Sequence, residues 1–157
     1  RPFLQHIFQR SEKAGHEEPA YPAKLPNALC SLLLVQLQSL KSVNCHRQEI
    51  AKKYSERLSD IHKQTADDSI FLRYTILVKN PNGLLRFAKK HRILLGNWYD
   101  SVLVPKDNSV VETVYRAGEC PRAEDYARHS VNLPTHIGIQ DEEINRICEG
   151  VSRYDNK

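Results

Sequence analysis

The densest group of chemistry-bearing residues is Gly96-Asn97-Trp98-Tyr99-Asp100-Ser101. An amide, a carboxylate and a hydroxyl stand beside two aromatic rings, and Trp98 is the only tryptophan of the chain. Such a set suits stacking on a sugar or nucleotide ring and hydrogen bonding to its hydroxyls. The same two rings also suit an anchor that ties the loop to a core, and both readings stand. The second candidate is His136, which follows the strand-like run Val131-Asn132-Leu133 in the loop Leu133-Pro134-Thr135-His136. A polar side chain leaving a strand on a loop can face a cleft, or it can cap local backbone. If the strands ending at Gly96 and Leu133 are neighbours, Asn97, Trp98, Tyr99, Asp100 and His136 are expected to converge on one ligand-facing edge.

Other chemistry is sparse. No GxSxG and no GxxxxGK[ST] occurs, so neither a nucleophile elbow nor a phosphate cradle is encoded. His46, His62, His91 and His129 fall on polar helix faces or helix ends. Cys30, Cys45, Cys120 and Cys148 form no CxxC pair and have no histidine at ligand spacing. That argues against a zinc or redox centre and against a disulfide framework. Cys30 and Cys148 instead lie in helical apolar patterns, as small core residues. A reducing, cytoplasmic compartment is the expectation, with no metal and no catalytic residue assigned.

The elements that must position these residues are legible from spacing. Phe3, Leu4, Ile7 and Phe8 suggest a short helix, and the three prolines of residues 15–26 mark a linker. A long helix is expected from 27 to about 60, with Asn27 as its cap or Pro26 in its first turn. Leu33, Leu37, Leu40, Val43, Ile50, Tyr54, Leu58 and Ile61 recur at steps of three and four, interrupted by Arg47. Such a helix would run about 50 Å, long enough to bridge two bodies. Strands are expected at Ile70–Val78, Ile93–Leu95, Val102–Val104 and Val131–Leu133. Helices are expected around Leu84, Leu85, Phe87 and Ala88; from Cys120-Pro121, with Ala123, Tyr126 and Ala127 inward; and from Gln140, with Ile144, Ile147, Cys148 and Val151 buried. The fold class is α+β: a small, mostly antiparallel sheet with helices packed on one face, preceded by the long bridging helix. The division is an N-terminal helix and Pro-rich linker at 1–26, then one domain at 27–157.

Composition bounds the partners. With 157 residues the chain holds one ordinary core. A net charge of +4, spread along the chain, does not call for nucleic acid. No run of about 18 apolar residues spans a membrane, and no leader is visible at Arg1-Pro2-Phe3-Leu4. The sequence contains no methionine, even at position 1, which we read as a piece of a longer polypeptide.

Five motifs together carry a resemblance. Tyr21-Pro22-Ala23-Lys24-Leu25-Pro26-Asn27-Ala28-Leu29 runs into Gln36-Leu37-Gln38-Ser39-Leu40 and then His46-Arg47-Gln48-Glu49-Ile50-Ala51-Lys52-Lys53-Tyr54. This resembles the DegT/DnrJ/StrS sugar-aminotransferase family, in which a Tyr-Asn-x-Arg-Met start leads into a long helix with a Gln-Leu pair and an Arg-Arg-x-x-Ile-Ala-x-x-Tyr run. Ile93-Leu94-Leu95-Gly96-Asn97-Trp98-Tyr99 is similar to the family's Gly-x-x-Tyr strand end. Cys120-Pro121-Arg122-Ala123-Glu124 is similar to its Cys-Pro-x-Ala-Glu helix start, and Leu133-Pro134-Thr135-His136 to its Leu-Pro-x-His loop. The family's Asn falls at Pro22, its Arg at Lys24, and the His before its tyrosine at Trp98.

The resemblance implies the C-terminal small domain of a fold-type I, PLP-dependent enzyme, inactive alone. The large domain, with the lysine that holds PLP, would lie before residue 1. Tyr21 and Lys24 would face the cofactor phosphate. Asn97, Trp98, Tyr99, Asp100 and His136 would face a nucleotide-linked keto-sugar, and the whole protein would be a homodimer. The alternative is a free-standing module that binds a nucleotide-sugar or a protein.

Overall fold

Steps of three and four between apolar residues set the helices, and the folded chain follows them with one break. The computed structural model describes residues 24–59, 69–103 and 115–155. Within them the order is α1 (Asn27–Gln38), α2 (Leu40–Arg57), β1 (Tyr74–Leu77), α3 (Pro81–Lys90), α4 (Pro121–His129), β2 (Ser130–Leu133) and α5 (Asp141–Asp155). The class is α+β, as expected: five helices and a two-stranded antiparallel sheet among the described residues. The expected helix in residues 1–14 and nearly all of the linker lie outside the described residues.

The register is Tyr74 opposite Leu133, Thr75 opposite Asn132, Ile76 opposite Val131 and Leu77 opposite Ser130. Period-2 alternation therefore puts Tyr74, Ile76, Val131 and Leu133 on one face. That face closes a single core with Ile50 and Tyr54 of α2, Leu58 at its C-terminal cap, Leu84 of α3, and Ile144, Ile147, Cys148 and Val151 of α5. Proline opens α3, and the Asn80 side chain caps it by accepting the Gly83 N–H at 2.9 Å. The acids Asp141, Glu142 and Glu143 begin α5, where the helix dipole favours them. Lys53 of α2 pairs with Asp141 at 2.6 Å and ties the two helices together.

Several expectations are corrected. The long helix is two helices. Ser39 takes up φ −90° and ψ −4°, and its carbonyl accepts from both the Val43 N–H at 3.1 Å and the Ser42 hydroxyl at 2.9 Å. At the break the Ser39 N–H bonds the Gln36 carbonyl, three residues back, at 3.1 Å, a tightened last turn that ends α1. Pro26, not Asn27, holds the cap position of α1. The strand expected at Ile70–Val78 shrinks to Tyr74–Leu77, because Phe71 sits at φ 51° and turns the chain away. Thr135 holds that turn, its hydroxyl 2.8 Å from the carbonyls of both Phe71 and Leu72.

Further corrections concern short apolar runs, α4 and Cys30. Ile93–Leu95 forms no strand; only Gly96 bridges to Asn132. Val102 and Leu103 lie in a bend, and Val104 is outside the described residues. In α4, Tyr126 is 52% exposed and Ala123 is exposed, leaving Ala127 as the half-buried contact. Cys148 is a core residue, as its pattern suggests, but Cys30 is only half-buried, on a helix with no buried residue at all.

Tyr54 shows how closely the core is tied. Its ring is fully buried, 5.3 Å from the Tyr74 ring, and its hydroxyl donates to the Pro134 carbonyl at 3.0 Å. Burial pushes that phenol well above its usual pKa. Tyr54→Phe leaves the Pro134 carbonyl without its donor and is expected to cost about 1–2 kcal/mol. Urea denaturation checks this: an unchanged midpoint contradicts it.

Candidate functional site

Asn132 organises the candidate loop. It stands in β2 between two core residues, on the sheet face opposite them, and is 3% exposed. Its backbone exchanges two bonds with Gly96, at 2.9 and 2.8 Å. Its side-chain oxygen accepts the Trp98 N–H at 2.8 Å, and its amide nitrogen donates to the Thr75 hydroxyl at 2.9 Å. Ser130, two residues earlier on the same face, donates to the Tyr99 carbonyl at 2.6 Å. The strand thus grips the backbone of Gly96–Tyr99 from one side and leaves the side chains of the loop to point elsewhere.

Those side chains divide. Trp98 is half-buried, with the Arg73 guanidinium 4.4 Å from its ring centroid, a cation–π contact that takes up ring surface. Tyr99 is 39% exposed. Asn97 and Asp100 line a cleft of about 360 Å³ together with Asn82 and Leu85 of α3 and Ala127 and Arg128 of α4. Arg128 is held by Asp125 at 3.5 Å and Glu124 at 4.0 Å. Glu124 also accepts from the Tyr115 hydroxyl and the Gly118 N–H, which stitches the preceding turn to α4. Those two donors, the Tyr115 hydroxyl foremost, hold the Glu124 carboxyl below its usual range.

His136 does not join this group. Gly96 pairs antiparallel with Asn132, so the chain after Gly96 runs back toward Ser130, the start of β2. His136 follows the other end, beside Thr135 and the Phe71 turn. It is exposed, and its Nδ1 lies 3.2 Å from the Gly138 N–H, a local backbone contact. The expected convergence therefore fails on strand direction alone. Lys24 is exposed, and Tyr21 lies outside the described residues. Sequence reasoning missed Asn132, Arg73, Asn82 and Arg128. The available signal was a lone amide inside the apolar run Val131-Asn132-Leu133.

The described residues do not fit PLP. A lysine that carries this cofactor needs an enclosed pocket to hold the ring and to perturb the amine. Lys24, Lys41, Lys52, Lys79, Lys89 and Lys90 are exposed, and Lys53 is committed to Asp141. No group of three metal-ligating side chains occurs among the described residues. No helix among them is long and apolar enough to cross a membrane.

Residues 3–152 match the model of the DegT/DnrJ/EryC1/StrS aminotransferase family. No curated protein matches the sequence. Solved structures share the fold. A DegT DnrJ EryC1 StrS aminotransferase from Brucella abortus is 22% identical with a TM-score of 0.72, over 94% of this chain and 43% of that one. DesV of S. venezuelae, solved with a ketimine intermediate, is 19% identical with a TM-score of 0.74, over 100% and 45%. PseC of Helicobacter pylori, an aminotransferase involved in the biosynthesis of pseudoaminic acid, is 18% identical with a TM-score of 0.67, over 98% and 46%. The chain thus spans less than half the length of each of these structures.

Proposed function

Because this chain belongs to the DegT/DnrJ/EryC1/StrS aminotransferase family, we propose that it is the small C-terminal domain of a PLP-dependent sugar aminotransferase. In this reading it supplies substrate-side residues and dimer surface to a longer protein that aminates a nucleotide-linked keto-sugar. The cofactor and its lysine belong to the portion outside this chain, and the chain is inactive alone.

The observation that carries the reading is coverage: nearly all of this chain aligns with under half of each related structure. The surface of α1 supports it. No residue of α1 is buried, and Leu29, Leu32, Leu33, Leu34, Val35 and Leu37 are all exposed. An apolar helix bare on every side calls for a covering body.

The test is the coding DNA upstream of Arg1. A continuous open frame encoding a lysine-bearing aminotransferase domain is expected. A start codon at or just before Arg1 contradicts the reading and favours a free-standing binding module.

A further inference from the structure

We propose that Asn82-Gly83 is a self-modification site: when the Asn80 cap of α3 opens, the Gly83 backbone nitrogen attacks the Asn82 side chain, which loses its amide as ammonia. The chain holds one Asn-Gly pair, in the run Asn80-Pro81-Asn82-Gly83. In such a pair no side chain on the second residue shields its nitrogen or limits its backbone. The step forms a bond between the Gly83 nitrogen and Asn82 Cγ and breaks the Cγ–Nδ2 bond. The proton lost from Gly83 leaves on the ammonia, and a ring imide remains. Water then adds to one of the two imide carbonyls. One opening gives aspartate; the other gives isoaspartate, in which the main chain runs through the side-chain carbons. Water is consumed and ammonia released, with no change of oxidation state.

The two asparagines of this run stand in opposite situations. Asn80 precedes Pro81, whose nitrogen carries no hydrogen and cannot make this attack, so the capping residue is itself inert. Asn82 is exposed, and water reaches its amide. Gly83 is the third residue of α3, where a backbone N–H has no carbonyl of its own helix to bond. Among the described residues its partner is the Asn80 Oδ1, at 2.9 Å. The restraint on the nucleophile is thus one side-chain bond at the end of a helix, where local opening is most frequent. Packing also demands the glycine. A Cβ at position 83 would stand 2.1 Å from the Tyr154 hydroxyl and 2.7 Å from Asn80 Nδ2, so a larger residue must displace the cap. Conversion puts a carboxylate on the cleft wall that Arg128 also lines, and isoaspartate adds a backbone atom to the first turn of α3. None of this rests on the proposed function.

The test is to age the purified chain at neutral and at mildly alkaline pH and to map aspartate and isoaspartate by peptide mass spectrometry. Residue 82 is expected to convert faster than any other asparagine of the described residues, and faster at alkaline pH because the attacking nitrogen must lose its proton. Asn80→Ala is expected to raise the rate about fivefold, the added opening when a helix cap is lost. Asn80→Asp keeps the acceptor and is expected to stay within about twofold of the parent. Should Asn80→Ala fail to fold, the parent chain in urea gives the same reading, with conversion faster than in the folded chain. An Asn80→Ala chain that ages like the parent, or a rate in urea no higher than in the folded chain, overturns the proposal. So does a parent chain whose other asparagines convert while residue 82 does not.

Discussion

Asn132→Ala is expected to destabilise the chain by about 2–4 kcal/mol and to free the Trp98 loop. The substitution removes an acceptor from the Trp98 N–H and a donor from the Thr75 hydroxyl, both half-buried groups bonded to the buried Asn132. Each group left unsatisfied costs about 1–3 kcal/mol. The backbone bonds between residue 132 and Gly96 survive, so the sheet register should hold while the loop beyond Gly96 loosens. Trp98 reports this directly, being the only tryptophan and lying under the Arg73 guanidinium. Its emission should shift toward that of a solvated indole, and the urea midpoint should fall. Thr75→Val removes the second bond and should cost less than Asn132→Ala. A variant within about 0.5 kcal/mol of the parent, the range of a neutral surface change, with unchanged emission would show that Asn132 does not position the loop.

The second large effect is association through α1. Leu25, Leu29, Leu32, Leu33, Leu34, Val35, Leu37 and Leu40 are between 43% and 62% exposed, and α1 contains no charged residue. Covering a half-exposed leucine is worth about 1 kcal/mol. With no covering body present, copies of the chain should cover one another, with association in the micromolar range, about −8 kcal/mol. Leu32→Glu combined with Val35→Lys places a charge pair three residues apart on this face and should restore a monomer without touching the core. Sedimentation velocity decides the matter. A clean monomer of the parent chain at about 100 μM, with no binding of an apolar-surface dye, contradicts the expectation.

The legibility of the fold tracked how far local chemistry decides the outcome. The helical stripes of α3 and α5 were readable because burial and spacing agree: Leu84 and Ala88, and Ile144, Ile147, Cys148 and Val151, lie where period 3.6 puts them. The Ser39 break was not readable, since the apolar stripe continues from Leu37 through Leu40 and the fault lies in the backbone, where the Ser39 N–H turns to the Gln36 carbonyl. Short apolar runs misled for a related reason. Ile93-Leu94-Leu95 has the composition of a strand, yet Leu94 is 71% exposed, and the pairing it would need is supplied at Gly96 alone.

The candidate site was half legible. Residue types located the Asn97–Asp100 loop, but the partners Asn82, Arg73 and Arg128 come from three other segments. His136 was misplaced because direction along a strand is a property of the pairing, and nothing in the spacing states it.

The proposed function makes this chain the part of an aminotransferase that does not hold the cofactor. The most direct measurement is to incubate the purified chain with PLP, reduce with borohydride, and map the modified lysines by mass spectrometry. The account predicts labelling below one equivalent, scattered over exposed amines such as Lys24, Lys41, Lys52, Lys79, Lys89 and Lys90. One equivalent fixed on a single lysine, with an absorbance band that survives dialysis before reduction, would contradict it.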